Sequence, residues 1–164
     1  GWFPVYEKRV GDWYISETVP MDQSAKNWSE MVTINGFKGA AGRTEPVQAI
    51  EAIAKRFEAA CPESFVYTPI GATEVDGYRG FEAIIGCGEM PADEPTGARK
   101  GQSEIAYILA IKGSKDVYMV QKALRGQAFA KANLPLTLGN YKEFSAMLFP
   151  ITLCDRGLLS RDCK

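Results

Sequence analysis

The pattern of hydrophobic and polar positions predicts a β-hairpin between residues 102 and 126. Residues 105–111, IAYILAI, are apolar at consecutive positions. A strand of this kind needs cover on both faces, so it is expected in the middle of a sheet. The tight turn Gly113-Ser114-Lys115-Asp116 then leads into the second strand of the hairpin. The rest of the chain has to supply flanking strands and covering helices.

Alternating apolar and polar positions predict further strands at residues 5–9, 13–18, 28–35, 65–68 and 78–87. Glu30 interrupts the apolar side of the third of these strands, which indicates a strand end or a sheet edge. Pro69 is expected to end the fourth strand, because proline cannot donate a hydrogen bond to a neighbouring strand.

Residues 45–60 form the clearest predicted helix. One stripe of apolar positions at helical spacing runs along it: Ile50, Ile53, Ala54, Phe57 and Cys61. Thr44 is the predicted N-cap. Asn140 and Glu143 have the spacing of a capping box and predict a second helix, which Pro150 ends or kinks.

The order of these elements predicts one α+β domain over residues 1–164. Its core is a twisted, mostly antiparallel sheet, and two main helices pack on that sheet. A chain of 164 residues is long enough for a sizeable hydrophobic core.

Composition restricts the function more than the fold. Nineteen basic and 20 acidic residues give a net charge of −1, so no nucleic acid partner is expected. No apolar run is long enough to predict a membrane span. The chain has no histidine, which excludes Ser-His-Asp and Cys-His catalysis and nearly every catalytic zinc site. We expect no metal and no cofactor. An envelope enzyme without histidine chemistry remains a hypothesis, ranked third after the two binding functions given below.

The four cysteines, Cys61, Cys87, Cys154 and Cys163, include no C-x-x-C motif. Three pairings are open, and the periodicity favours one. Cys61 ends the buried stripe of the first helix, and Cys87 ends the apolar face of a strand under it. Cys154 and Cys163 would then close a small loop. Two bridges predict a periplasmic or secreted protein, whereas four reduced, buried cysteines would predict a cytosolic one.

The glycine-rich stretch of residues 36–44 lies between a predicted strand and the first helix. It differs from a P-loop, because Arg43 stands where that motif has lysine and the glycine spacing is one residue too long. The alternative prediction is an anion site made by the amides of a helix N-terminus and nearby cations. Its residues would be Lys38, Gly39, Gly42, Arg43 and Thr44.

Residues 88–101 form a long predicted loop with two prolines and three glycines. Loops of this length are often functional. We expect its charged residues, Asp93, Glu94, Arg99 and Lys100, at the polar rim of a partner-binding surface.

The layout of strands and helix resembles a family of small bacterial exported proteins. The motifs that carry this resemblance are Asn27-Trp28-Ser29-Glu30-Met31-Val32-Thr33, Ala60-Cys61-Pro62, Tyr118-Met119-Val120-Gln121 and Leu153-Cys154-Asp155. The layout is also similar to the PsbP-like α/β sandwich, a fold built for docking onto other proteins. The resemblance implies export and this fold, and it transfers no functional residue.

These observations predict a non-enzymatic, exported binding module whose partner is another protein. An immunity or inhibitor protein fits the small size and the missing catalytic residues. The alternative is a small-molecule or anion-binding protein that uses the glycine-rich turn.

Overall fold

The predicted central hairpin lies in the middle of a seven-stranded sheet in the computed structural model, which describes residues 1–154. In chain order the strands are β1 (Trp2–Val10), β2 (Trp13–Pro20), β3 (Glu30–Phe37), β4 (Phe65–Val75), β5 (Tyr78–Cys87), β6 (Gln102–Lys112) and β7 (Val117–Gln127). They pair antiparallel in the spatial order β1-β2-β3-β7-β6-β5-β4. Every residue from Ile105 to Ile111 is at most 2% exposed, so the prediction of a strand buried on both faces is confirmed.

One face of the sheet, which we call the helix face, is covered by α1 (Pro46–Ala60). Ile50 and Ala54 of the predicted stripe are buried there. They belong to a core cluster with small and branched residues of the central strands: Ala83, Ile85, Ala106, Ile108, Ala110 and Met119. The N-cap of α1 is Glu45 and not the predicted Thr44, because the side chain of Gln48 accepts the N–H of Glu45 at 2.8 Å.

The opposite face, which we call the segment face, is covered by residues 128–154. This segment is largely irregular, and its Leu136 is 1% exposed. It packs with Phe129, Tyr141, Phe144 and Leu148 against a second core cluster of odd-numbered β6 residues: Ile105, Tyr107, Leu109 and Ile111.

The second predicted helix is present only as short helical turns, so a second main helix is not confirmed. α2 (Tyr141–Ser145) is a single turn, followed by a 3-10 turn (Ala146–Leu148). Asn140 does not cap it, because its side-chain oxygen accepts the N–H of Thr137 at 2.8 Å and closes a turn before the helix. The domain is therefore α+β-like with one long helix and mostly sheet.

Proline marks both edge strands. Pro69 does not end the fourth strand as predicted, because within residues 1–154 β4 is an edge strand and pairs only with β5. A register shift between Pro69 and Gly71 lets the pairing continue to Val75. β1, the other edge, has a similar shift between Pro4 and Tyr6. Prolines and bulges at edges protect a sheet from pairing with another chain.

The predicted disulfide between Cys61 and Cys87 is present, with a Cα–Cα distance of 5.9 Å. It joins the C-terminal end of α1 to the last residue of β5. The predicted Cys154–Cys163 bridge stays a prediction, because Cys163 lies outside the described residues.

Candidate functional site

An open groove lies on the segment face beside the cover made by residues 128–154. It has a volume of about 490 Å³. Val32 and Ile34 of β3 and Val120 of β7 supply its floor, and Trp2 of β1 lines it on the sheet side. The C-terminal segment lines it with Met147, Leu148, Ile151 and Leu153. Its lining is therefore mostly aliphatic.

The groove exists because β3 has apolar side chains on both faces of the sheet. Met31 and Thr33 are buried on the helix face, while the neighbouring Ile34 remains 43% exposed. Met147 across the groove is 48% exposed. Large apolar side chains that converge on one concave surface indicate a binding site more strongly than scattered ones do.

Lys122 fixes the wall of the groove around Trp2. Its ammonium group forms an ion pair with Glu30 at 2.9 Å and donates to the carbonyl of Phe144 at 3.1 Å. It also lies 4.4 Å from the ring centre of Phe144 and 6.0 Å from that of Trp2. Glu30 starts β3, as its interruption of the apolar pattern predicted. The charge of Lys122 is thus neutralised within the protein.

A second depression, which we call the basic cleft, adjoins the groove and has a volume of about 460 Å³. Of the described residues 1–154, the cationic ones that line it are Arg9, Lys38 and Lys115. Tyr14, Tyr78 and Tyr118 add aromatic rings, and Asp12 and Asp116 are the acidic residues among the described ones.

Two turns build the basic cleft. The N–H of Ala41 donates to the carbonyl of Lys115 at 3.0 Å, and the N–H of Gly39 donates to a carboxylate oxygen of Asp116 at 2.8 Å. Gly39 has φ +71°, which glycine adopts without strain. The glycine-rich turn is thereby locked onto the turn of the central hairpin, and Lys38 and Lys115 line the same cleft.

The predicted anion-site residues are only partly brought together. Lys38 lines the basic cleft, whereas Arg43 and Thr44 are not among its lining residues. The N-terminal end of α1 already has a carboxylate beside it, since Glu45 pairs with Lys112 at 2.6 Å and with Arg79 at 3.2 Å. The hydrogen bond from Lys112 lowers the pKa of Glu45. A second anion at this helix end would meet that negative charge.

The predicted partner loop lies away from both depressions, and its charged residues line neither. Asp93 accepts the hydroxyl of Thr96 at 2.7 Å within the loop. Arg99 donates to the side chain of Asn27 at 3.2 Å, which ties the loop to residues 20–29. The structure gives this loop a packing role, and its role at an interface stays a prediction.

A buried ion pair holds these loops on the helix face. Arg125 pairs with Glu104 at 3.1 Å and donates to the carbonyl of Thr96 at 2.9 Å, and Trp28 stacks on its guanidinium at 4.0 Å. Burial raises the pKa of Glu104, and Arg125 opposes that rise. Burial and the nearby Glu104 raise the pKa of Glu17 as well.

Tyr107 lies beneath the cover on the segment face and is fully buried. Its hydroxyl donates to Glu82 at 2.5 Å, and its ring stacks on Tyr141 with 6.0 Å between centres. Burial raises the pKa of Tyr107, and the carboxylate of Glu82 adds to the rise. The hydroxyl therefore stays protonated and acts as a structural donor.

Within residues 1–154 no group of three metal-ligating side chains is placed to hold a metal ion. No helix in this part of the chain is long and apolar enough to cross a membrane.

The groove was not predicted from the sequence. The signals that could have found it are Trp2, among the aromatic residues of the N-terminus, and the alternation at Val32 and Ile34. Nothing in the local sequence predicts that Lys38 and Lys115 line one cleft. Their two turns are joined by the hydrogen bond between Gly39 and Asp116, which are 77 positions apart.

The sequence matches no known protein-family profile and no curated protein. Among solved structures it is similar to PA94 from Pseudomonas aeruginosa, a protein of unknown function proposed to be a regulator. The TM-score is 0.43 at 9% identity, over 89% of this chain and 85% of that one.

Proposed function

We propose that this protein is an exported, non-catalytic binding module that docks onto another protein by holding one of its apolar segments in the groove. The observation that carries the proposal is the concave aliphatic surface between β3 and the C-terminal segment, with Ile34 and Met147 exposed on it. Burying apolar side chains of this kind is the main source of binding free energy in protein complexes.

The geometry favours a segment of a protein over a small apolar ligand. Sites for small ligands bury most of the ligand surface. Here the floor residue Ile34 is 43% exposed, so a small molecule on it would remain in contact with water. A segment that belongs to a larger partner brings further surface to cover the floor. An inhibitor-like role would follow if the bound segment belongs to the partner's working surface.

Export is supported by the Cys61–Cys87 disulfide, because disulfides form and persist in oxidising compartments. Periplasmic or secreted localisation is therefore part of the proposal.

The test is selection of short random peptides on the folded protein. Peptides selected by the parent should share an apolar run and should lose at least about tenfold in affinity on Ile34→Asp, as expected for a central apolar contact. Val10→Asp is the matched control, because Val10 is 53% exposed and lines neither depression. Equal binding of the selected peptides to the parent and to Ile34→Asp would overturn the proposal, provided that both variants melt like the parent.

A further inference from the structure

We infer that the segment held in the groove carries acidic residues directly beside its apolar run, and that these acidic residues lie in the basic cleft. The inference rests on the proposed function and specifies the chemistry of the partner. It also gives a role to Lys38 and Lys115.

The first observation is that the two depressions adjoin each other. Tyr118, Leu153 and Cys154 line both of them. Leu153 is held in place on the sheet side, because its N–H donates to a carboxylate oxygen of Asp76 at 3.0 Å. Asp76 belongs to the tight turn between β4 and β5, where it and Gly77 both have positive φ. An extended chain that passes from the groove over Leu153 therefore reaches the cleft.

The second observation is the state of the charges in the cleft. Arg9, Lys38 and Lys115 form no ion pair within residues 1–154, where the paired cations are Arg79, Lys112, Lys122 and Arg125. Arg9 stacks its guanidinium 5.0 Å above the ring of Tyr14. This leaves its charge available to a ligand.

The acidic residues of the cleft offset these cations only in part. One carboxylate oxygen of Asp116 accepts the N–H of Gly39 at 2.8 Å, and the other lies 3.4 Å from the Tyr118 hydroxyl that donates to it. Asp116 is thus engaged in holding the two turns together. Asp116 keeps its charge, so within residues 1–154 three cations face the two carboxylates of Asp12 and Asp116. The remaining excess of one positive charge makes the cleft complementary to an acidic group.

The exposure of the cations indicates why the acidic group should be attached to the apolar segment. Lys38, Lys115 and Arg9 are exposed, and exposed ion pairs are weak and sensitive to salt. A small free anion would be held poorly by them. An acidic residue delivered by a segment already bound in the groove gains from its high effective concentration.

The experiment compares three synthetic peptides that share one apolar run taken from the selection described above. The run is followed by glutamates, by glutamines or by lysines, and the dissociation constants are measured at low and at physiological salt. We expect the glutamate peptide to bind about three- to thirtyfold more tightly than the glutamine peptide at low salt, for a few exposed pairs. The lysine peptide should bind most weakly, and the differences should shrink as salt is added.

The triple variant Arg9→Ala, Lys38→Ala, Lys115→Ala should remove the preference for glutamate and leave binding of the glutamine peptide unchanged. The double variant Arg99→Ala, Lys100→Ala is the matched control, because those cations line neither depression, and it should keep the preference.

The outcomes separate the two proposals. Equal binding of the glutamate and glutamine peptides, both lost on Ile34→Asp, would overturn the inference and leave the groove as a binding site. Loss of the preference in the double variant would move the acidic contact to the loop of residues 88–101 and also overturn it. Tight binding of inorganic phosphate or free glutamate to the cleft would show a small-anion site instead, again against the inference.

Discussion

The two faces of the sheet are covered in different ways. On the helix face α1 lies over β4, β5 and β6, and the Cys61–Cys87 bridge joins its end to the sheet. The loops of residues 20–29 and 88–101 pack on that face around Arg125 and Trp28. On the segment face a largely irregular stretch covers the centre of the sheet and leaves part of β3 exposed.

The difference shows how one sheet combines stability with a binding surface. The helix face is fixed by a regular helix, a covalent bridge and a buried ion pair. On the segment face some apolar residues are buried in the core, and others line the groove. We therefore expect changes to the helix face and to the buried part of the segment face to lower stability, and changes to the groove floor to lower binding.

The largest expected effect is loss of the covalent bridge on the helix face. Cys61→Ala with Cys87→Ala should lower the free energy of unfolding by about 3–4 kcal/mol, because the bridge closes a loop of 26 residues in the unfolded chain. That corresponds to a fall in Tm of roughly 10 °C for a domain of this size. Urea and thermal unfolding measure it. An unchanged Tm would show that the bridge does not stabilise this face.

The buried part of the segment face should respond next. Tyr107→Phe removes the hydroxyl that donates to Glu82 at 2.5 Å, and a lost hydrogen bond to a charged group costs about 1.5–3 kcal/mol. The ring stays in place against Tyr141, so the cost should come from the missing donor alone. Tyr141→Phe is the control, because it also removes a hydroxyl from the stacked pair of rings but leaves the Tyr107–Glu82 hydrogen bond in place. If both variants unfold at the same urea concentration as the parent, the Tyr107–Glu82 bond contributes nothing to stability.

The smallest expected effect is a pH dependence of the protein's stability, which arises from Glu17 on the helix face. Burial and Glu104 raise the pKa of Glu17 above its ordinary value of 4.5, so the folded state keeps this proton at a pH where the unfolded chain has lost it. The stability that this proton contributes is full below the unfolded pKa and is lost as pH rises through the folded pKa.

Glu17→Gln removes that dependence. The variant should therefore gain stability relative to the parent as pH rises from about 4 to about 8, by less than about 1 kcal/mol because Glu17 is partly solvated. Melting temperatures of the two proteins across this range measure the gain. A difference in melting temperature that does not change with pH would contradict a raised pKa of Glu17 in the folded protein.

Local pattern determined the parts of the fold in which burial depends on near neighbours in the sequence. The apolar run of β6, the stripe of α1 and the pairing of Cys61 with Cys87 could all be predicted, because helix and strand periods state which side chains share a face. The pattern also located Glu30 at a strand end, and the structure gives the reason in its ion pair with Lys122.

Tertiary structure decided where the pattern permits several outcomes. Pro69 lies within β4 because that strand is at an edge, and edge position depends on the order of all seven strands. The predicted capping box at Asn140 does not form, because the Asn140 side chain accepts the N–H of Thr137 instead, and α2 is a single turn whose Tyr141 and Phe144 pack on the sheet. The groove and the basic cleft depend on side chains brought together from β1, β3, β7 and the C-terminal segment. The helix and strand periods carry no information about such long-range contacts, so only the folded chain places Ile34 and Met147 in one groove and Lys38 and Lys115 in one cleft.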